Sequence, residues 1–172
     1  AQEQSAAPIP PQPKPKREHV AFEPLHPEIP REQRSNFRIT DLELGYGTAS
    51  EKYAANTAAI RLLKRIEDEG RLATPAEQEI LSRYVGWGGL ADCFDEKHSK
   101  FQELKALLSE EEYAAARASS MTAFYTSPVI IRAIYQALEQ MGFREGNILE
   151  PSCGVGNFIG MIPESMAGSH AY

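Results

Sequence analysis

Two glycines one residue apart, Gly154 and Gly156, close the run Ile148-Leu149-Glu150-Pro151-Ser152-Cys153-Gly154-Val155-Gly156-Asn157-Phe158. A short apolar stretch there ends in an acid and a proline, then in a loop with little side chain. That pattern hands a buried strand over to a turn at which a ligand can meet the backbone. Glycine pairs follow strands in many folds, so the loop alone names no ligand. A phosphate-binding P-loop ends in Gly-Lys-Ser/Thr, whereas Gly156-Asn157-Phe158 offers neither lysine nor hydroxyl and excludes it. A dinucleotide fingerprint wants Gly-x-Gly-x-x-Gly; here the third glycine is Gly160, one place late, and Glu150-Pro151 interrupts the turn. Dinucleotide binding stays open but poorly matched.

A third reading uses Phe124-Tyr125-Thr126-Ser127-Pro128, which lies one helix and one short turn upstream. That layout can bring the segment beside the glycine loop at the carboxyl end of the strand. The pocket would then offer a hydroxyl, the free N–H groups at the start of the Pro128 helix, and the Glu150 carboxylate. A zwitterionic amino-acid moiety needs that set: donors for its carboxylate and an anion for its ammonium. S-adenosylmethionine carries such a moiety. The plainer alternatives are that Thr126 or Ser127 only caps the helix, that Phe158 only fills the core, and that Cys153 is a small packed residue.

Leu149 to Phe158 resembles motif I of the N6-adenine DNA methyltransferases, and Phe124 to Pro128 followed by an apolar helix resembles their motif X. Motif X ahead of motif I is similar to the gamma-type order shared with type I restriction modification subunits. The resemblance implies that Thr126 contacts the methionine carboxylate and that Glu150 sits near the methionine ammonium. It further implies that Gly154 and Gly156 allow close approach of the cofactor, with Phe124, Tyr125, Ser127, Pro151 and Cys153 around the site and Phe158 at the pocket's edge. Ser127 between Thr126 and Pro128 departs from the commoner Thr-Pro spacing and leaves open which hydroxyl makes the contact. The block Tyr84-Val85-Gly86-Trp87-Gly88-Gly89-Leu90 with Asp92-Cys93-Phe94-Asp95 resembles very large methylase–helicase proteins of bacterial mobile elements. The family's catalytic Asn/Asp-Pro-Pro-aromatic motif occurs nowhere in this sequence. Without it, and without the family's ribose-binding acid, the expectation is an inactive piece of a longer protein that binds S-adenosylmethionine weakly or not at all. Any DNA contact is then expected from parts of the parent outside this chain. The alternative is a helical DNA-handling or interaction module whose glycine loop is structural.

The elements that must position these residues are legible upstream. Eight of the twelve prolines fall in residues 1–35, which reads as an extended or disordered tail. That tail holds five Lys/Arg and five Glu, so the formal charge of -6 belongs to the remainder. A domain that grips phosphates unaided is usually basic, and this one is not. A helix is expected from about Ser50 to Glu69, with Tyr53, Ala54, Ile60, Leu63 and Ile66 inward and Gly70 as its stop. Thr74-Pro75-Ala76-Glu77 is a start signal for a second, ending at Gly86. Gly86 to Leu90 reads as a turn in which Trp87 anchors to a helical core, the alternative being a contact surface for nucleic acid or another domain. Helices follow at about Lys97–Leu108 and from Ser109 to about Ser119, their Glu and Lys residues reading as a solvated face. Ser127 caps and Pro128 opens a helix to about Met141 that buries Ile130, Ile131, Ile134 and Leu138, ahead of a strand at Asn147–Glu150. The sum is a mixed α/β chain: a mostly helical layer over residues 36–121, then from 122 to 172 the opening strands of a Rossmann-like methyltransferase sheet. Two unpaired-looking cysteines and four scattered histidines argue against disulfide scaffolds and structural zinc. No apolar stretch is long enough to span a bilayer, so a cytosolic protein with no membrane contact is expected.

Overall fold

A computed structural model describes residues 28–30, 33 and 37–172. The expected proline-rich tail otherwise lies outside the described residues. Residues 36–172 form one compact unit, so the division expected near residue 121 is no break between compact units. It marks where one buried cluster gives way to another. The observed class is mixed α/β, a helical layer followed by a two-stranded parallel sheet.

Helix α1 spans Ala49–Glu69, and its N-cap is Thr48 rather than Ser50. The reason is spacing: Glu51 stands three residues after Thr48, and the two close a reciprocal capping box, whereas three residues after Ser50 comes Tyr53. Gly70 ends the helix in the left-handed region at φ 59°. The buried side is Tyr53, Asn56, Thr57, Ala59, Leu62 and Ile66, so Ala54 and Leu63, expected inside, face out.

Helix α2 (Pro75–Ser82) starts as the sequence predicts, on Thr74 with Glu77 in a capping box, but it stops four residues before Gly86. Glu77 also ties α2 to the end of α1. Arg71 donates to it through both terminal nitrogens at 2.7 Å, and Arg65 adds a bond at 3.1 Å. Only 13% of the Glu77 side chain is exposed. The Arg71 guanidinium, then the Thr74 backbone N–H, hold its carboxyl well below the usual 4.5. A carboxylate whose folded pKa is depressed stabilises the fold above its unfolded pKa, and this is lost as pH falls toward the folded value. Glu77→Gln is therefore expected to lower the melting temperature at neutral pH, by a margin that shrinks steadily below about pH 4.5. An equal margin at pH 3 and pH 7 would rule out the ion pair as its source.

A 3₁₀ turn at Ala91–Phe94 leads to α3 (Phe101–Leu107) and α4 (Glu110–Ser119), the latter opened by a Ser109–Glu112 capping box. The expected start of α3 at Lys97 is four residues early; turns occupy residues 97–100. Trp87, 2% exposed, sits at the centre of the first core cluster with Tyr53, Leu90, Cys93, Phe94, Leu104 and Ala116. Its ring meets Tyr53 and Phe94 edge-on at 6.3 and 5.5 Å.

Helix α5 (Pro128–Gln140) buries Pro128, Ile131 and Tyr135, with Leu138 packed against the second cluster. Those positions recur every three to four residues and form one stripe. Ile130 and Ile134 lie about 100° round the helix from it and are 54% and 40% exposed, contrary to expectation. Strand β1 (Asn147–Ile148) pairs in parallel with β2 (His170–Ala171), Asn147 opposite His170. Between them come the glycine loop, the four-residue helix α6 (Asn157–Gly160) and a 3₁₀ turn at Glu164–Met166. Ile131 and Met166 are fully buried, each contributing about 1.5–3 kcal/mol. Among the described residues no helix is long and apolar enough to cross a membrane, and no group of His, Cys, Asp or Glu could hold a metal ion.

Candidate functional site

The segment Phe124–Ser127 and the glycine loop do meet, and Tyr125 makes the contact. An ideal Cβ on Gly154 would stand 2.8 Å from Tyr125 Cδ1 and Cε1. One on Gly86 would stand 2.6 Å from Tyr125 Cε2. Both glycines have positive φ, +55° and +72°, and both lie against the same ring. The turn around Trp87 is thus one wall of the site rather than a separate feature. Gly88 completes it: a Cβ there would lie 2.2 Å from the Ala123 carbonyl oxygen, so only glycine permits that approach of two backbones.

Asn56 holds this turn in place from α1. Its side chain is fully buried, with Nδ2 donating to the Gly86 carbonyl at 2.6 Å and Oδ1 accepting from the Val85 N–H at 2.8 Å. One carboxamide thereby satisfies both a donor and an acceptor of a non-helical backbone.

A cleft of about 230 Å³ opens between the two halves. The helical layer contributes Tyr46, Lys52, Ser82 and Tyr84; the other wall is Phe124 to Ser127 with Asn157. The Phe124 ring is 69% exposed and Tyr46 63%, so both stand at the rim. Burial, then the neighbouring Tyr125, push the Tyr84 hydroxyl above its ordinary pKa and keep it a neutral donor. Ser127 occupies the N-cap position of α5, yet its hydroxyl makes no capping bond. Neither the Thr126 nor the Ser127 hydroxyl has a hydrogen-bond partner among the described residues, and both line the cleft.

Other residues singled out from sequence fall elsewhere. The Glu150 carboxylate accepts from the Ser152 N–H at 3.0 Å, which closes a local turn, and it is not part of the cleft wall. Pro151 and Cys153 are exposed, the Cys153 thiol is free, and Gly156 lines a neighbouring groove with Phe37 and Ile39. Phe158 turns into the second core cluster, meeting the Tyr135 ring edge-on at 6.3 Å, while the Tyr135 hydroxyl donates to the Phe158 carbonyl at 2.9 Å. Gly160, one place late for a dinucleotide fingerprint, is required by packing: a Cβ there would lie 2.9 Å from Ile39 Cδ1.

Lys52, Tyr46 and Asn56 escape the sequence reading. Tyr46 and Lys52 flank the start of α1 and carry no local signal; only the fold brings them opposite Phe124. Tyr84 and the adjoining glycines were visible as a block, without their partner.

No protein-family model, curated protein or solved structure matches this chain.

The donors in the cleft suit a carboxylate: one ammonium from Lys52 and the unengaged hydroxyls of Thr126 and Ser127. They do not suit an ammonium group, because no acid lines the wall. The volume is below the roughly 300 Å³ at which pockets hold whole drug-sized molecules. It has room for a small anionic group.

Proposed function

We propose that this chain is the cofactor-side, N-terminal part of an S-adenosylmethionine-dependent DNA adenine-N6 methyltransferase with a Rossmann-like sheet. The observation that carries the reading is the contact of Tyr125 with Gly154, which joins the two resembling segments beside a parallel strand pair. Lys52, Thr126 and Ser127 are the residues that would hold the methionine carboxylate. When bound, the cofactor supplies an activated methyl group; the sequence contains no Asn/Asp-Pro-Pro motif to direct it to adenine. Methyl transfer by this chain alone is not expected.

One observation favours the second reading, an interaction module with a structural glycine loop. The Tyr125 ring already occupies the space beside Gly154, which accounts for that glycine without a ligand.

Amide resonances of the isotopically labelled chain separate the two. S-adenosylmethionine at millimolar concentration is expected to shift Thr126, Ser127 and Lys52, and Thr126→Ala with Ser127→Ala is expected to remove the effect. NAD at the same concentration should leave these residues unmoved. Equal shifts with NAD, or none with S-adenosylmethionine, would overturn the cofactor reading in favour of a dinucleotide site or the module.

A further inference from the structure

A second cleft, of about 530 Å³, lies between the 3₁₀ turn, α3 and α4. It is lined by Phe94, Asp95, Glu96, Lys97, Phe101, Lys105, Tyr113 and Arg117, of which the cations and rings carry the argument. Six cations elsewhere in the helical layer are matched, Arg61, Lys64, Arg65, Arg71, Arg83 and Lys100 each pairing with a glutamate, while Lys52 is not. Lys97, Lys105 and Arg117 form no ion pair among the described residues, although the chain as a whole is acidic. Two acids share the wall, Asp95 and Glu96, so its ionisable side chains keep one net positive charge, and neither acid is bonded to a cation there. Asp95 is engaged by the Lys97 backbone N–H at 2.8 Å, and Glu96 is exposed. Lys105 rests instead over the Tyr113 ring, Nζ 4.3 Å from its centroid, and Tyr113 meets Phe101 and Phe94 edge-on at 6.3 and 5.4 Å.

We infer that this cleft is a contact site for single-stranded nucleic acid. Phosphodiesters would be held by Lys97, Lys105 and Arg117, with a base against the Phe101–Tyr113 wall. Unpaired cations pay no cost of breaking an existing ion pair when they meet a phosphate, and every base offers a face to an aromatic ring. The inference places a nucleic-acid contact within this chain and stands whether or not the cofactor reading holds.

The test is fluorescence anisotropy of a labelled oligothymidylate of about twelve nucleotides at low salt. The unaltered chain should bind with an affinity that falls as salt rises. Combined Lys97→Ala, Lys105→Ala and Arg117→Ala should weaken binding at least about tenfold and reduce the log–log salt slope by about two. Lys97→Arg with Lys105→Arg should restore it, and Phe101→Leu should weaken binding while leaving the slope. A control removing the same charge elsewhere (Arg83→Ala, Arg132→Ala, Arg144→Ala) should bind as the unaltered chain does. Salt-independent or absent binding by the unaltered chain overturns the inference, as does equal loss in the control. So does full competition by a phosphoserine peptide, which would make the site a phosphopeptide reader.

Discussion

Asn56→Leu should destabilise the folded chain by about 2–6 kcal/mol, since each buried backbone group left unpaired costs about 1–3 kcal/mol. The substitution puts a larger, apolar side chain of the same branching in a fully buried position, so no cavity is opened. It strands the Val85 N–H and the Gly86 carbonyl, whose partner in both cases is the Asn56 carboxamide. Asn56→Asp is a sharper test. It preserves the acceptor for Val85 but turns a second oxygen toward the Gly86 carbonyl, so it should cost nearly as much at neutral pH. Denaturant unfolding of the three proteins measures this. A loss of under about 1 kcal/mol for Asn56→Leu would mean that water or a relaxed turn replaces the amide.

Gly154→Ala is the second large effect, and the structure changes its cause. Sequence reasoning assigns this glycine to close approach of a cofactor. In the fold the nearest atoms to an added Cβ are Tyr125 Cδ1 and Cε1 at 2.8 Å. The left-handed backbone costs a side chain about 1–2 kcal/mol, and overpacking against the ring about 1–3 kcal/mol more. A double-mutant cycle separates the two. In a Tyr125→Ala background the ring is gone, so the cost of Gly154→Ala should fall to the backbone part alone. An unchanged cost would show that the ring is not the obstacle. On the proposed reading, cofactor binding should fall with Gly154→Ala only as far as Tyr125 and its neighbours Thr126 and Ser127 are displaced.

Legibility in the sequence follows the range of the interaction. The boxes at Thr74–Glu77 and Ser109–Glu112 are set by residues three apart, and both stand as read. The first helix start was misplaced by two residues because Ser50 is a good cap by type, while the decisive acid is spaced for Thr48. Exposed Ile130 and Ile134 show where composition misleads: four large apolar residues crowd one helix, and only the set spaced for a single stripe is buried. For Trp87 the flanking glycines allow either a core anchor or a contact surface, and the 2% exposure decides for the core. Asn56 could not be found, since its partners lie 29 and 30 residues away and an asparagine inside a helix reads as neutral. The candidate site was half legible. The two segments that meet were named, the part of the wall supplied by Tyr46 and Lys52 was not, and Glu150 proved to serve its own turn.

The Tyr125 ring, held between Gly86 and Gly154, ties three distant sequence positions into one constraint on divergence. A related chain that carries any side chain at 86 or 154 must shrink residue 125, move a whole loop, or push the ring into the cleft it lines. Substitutions at these three sites should therefore be inherited together, so that descent alone would report the packing to a reader holding only an alignment.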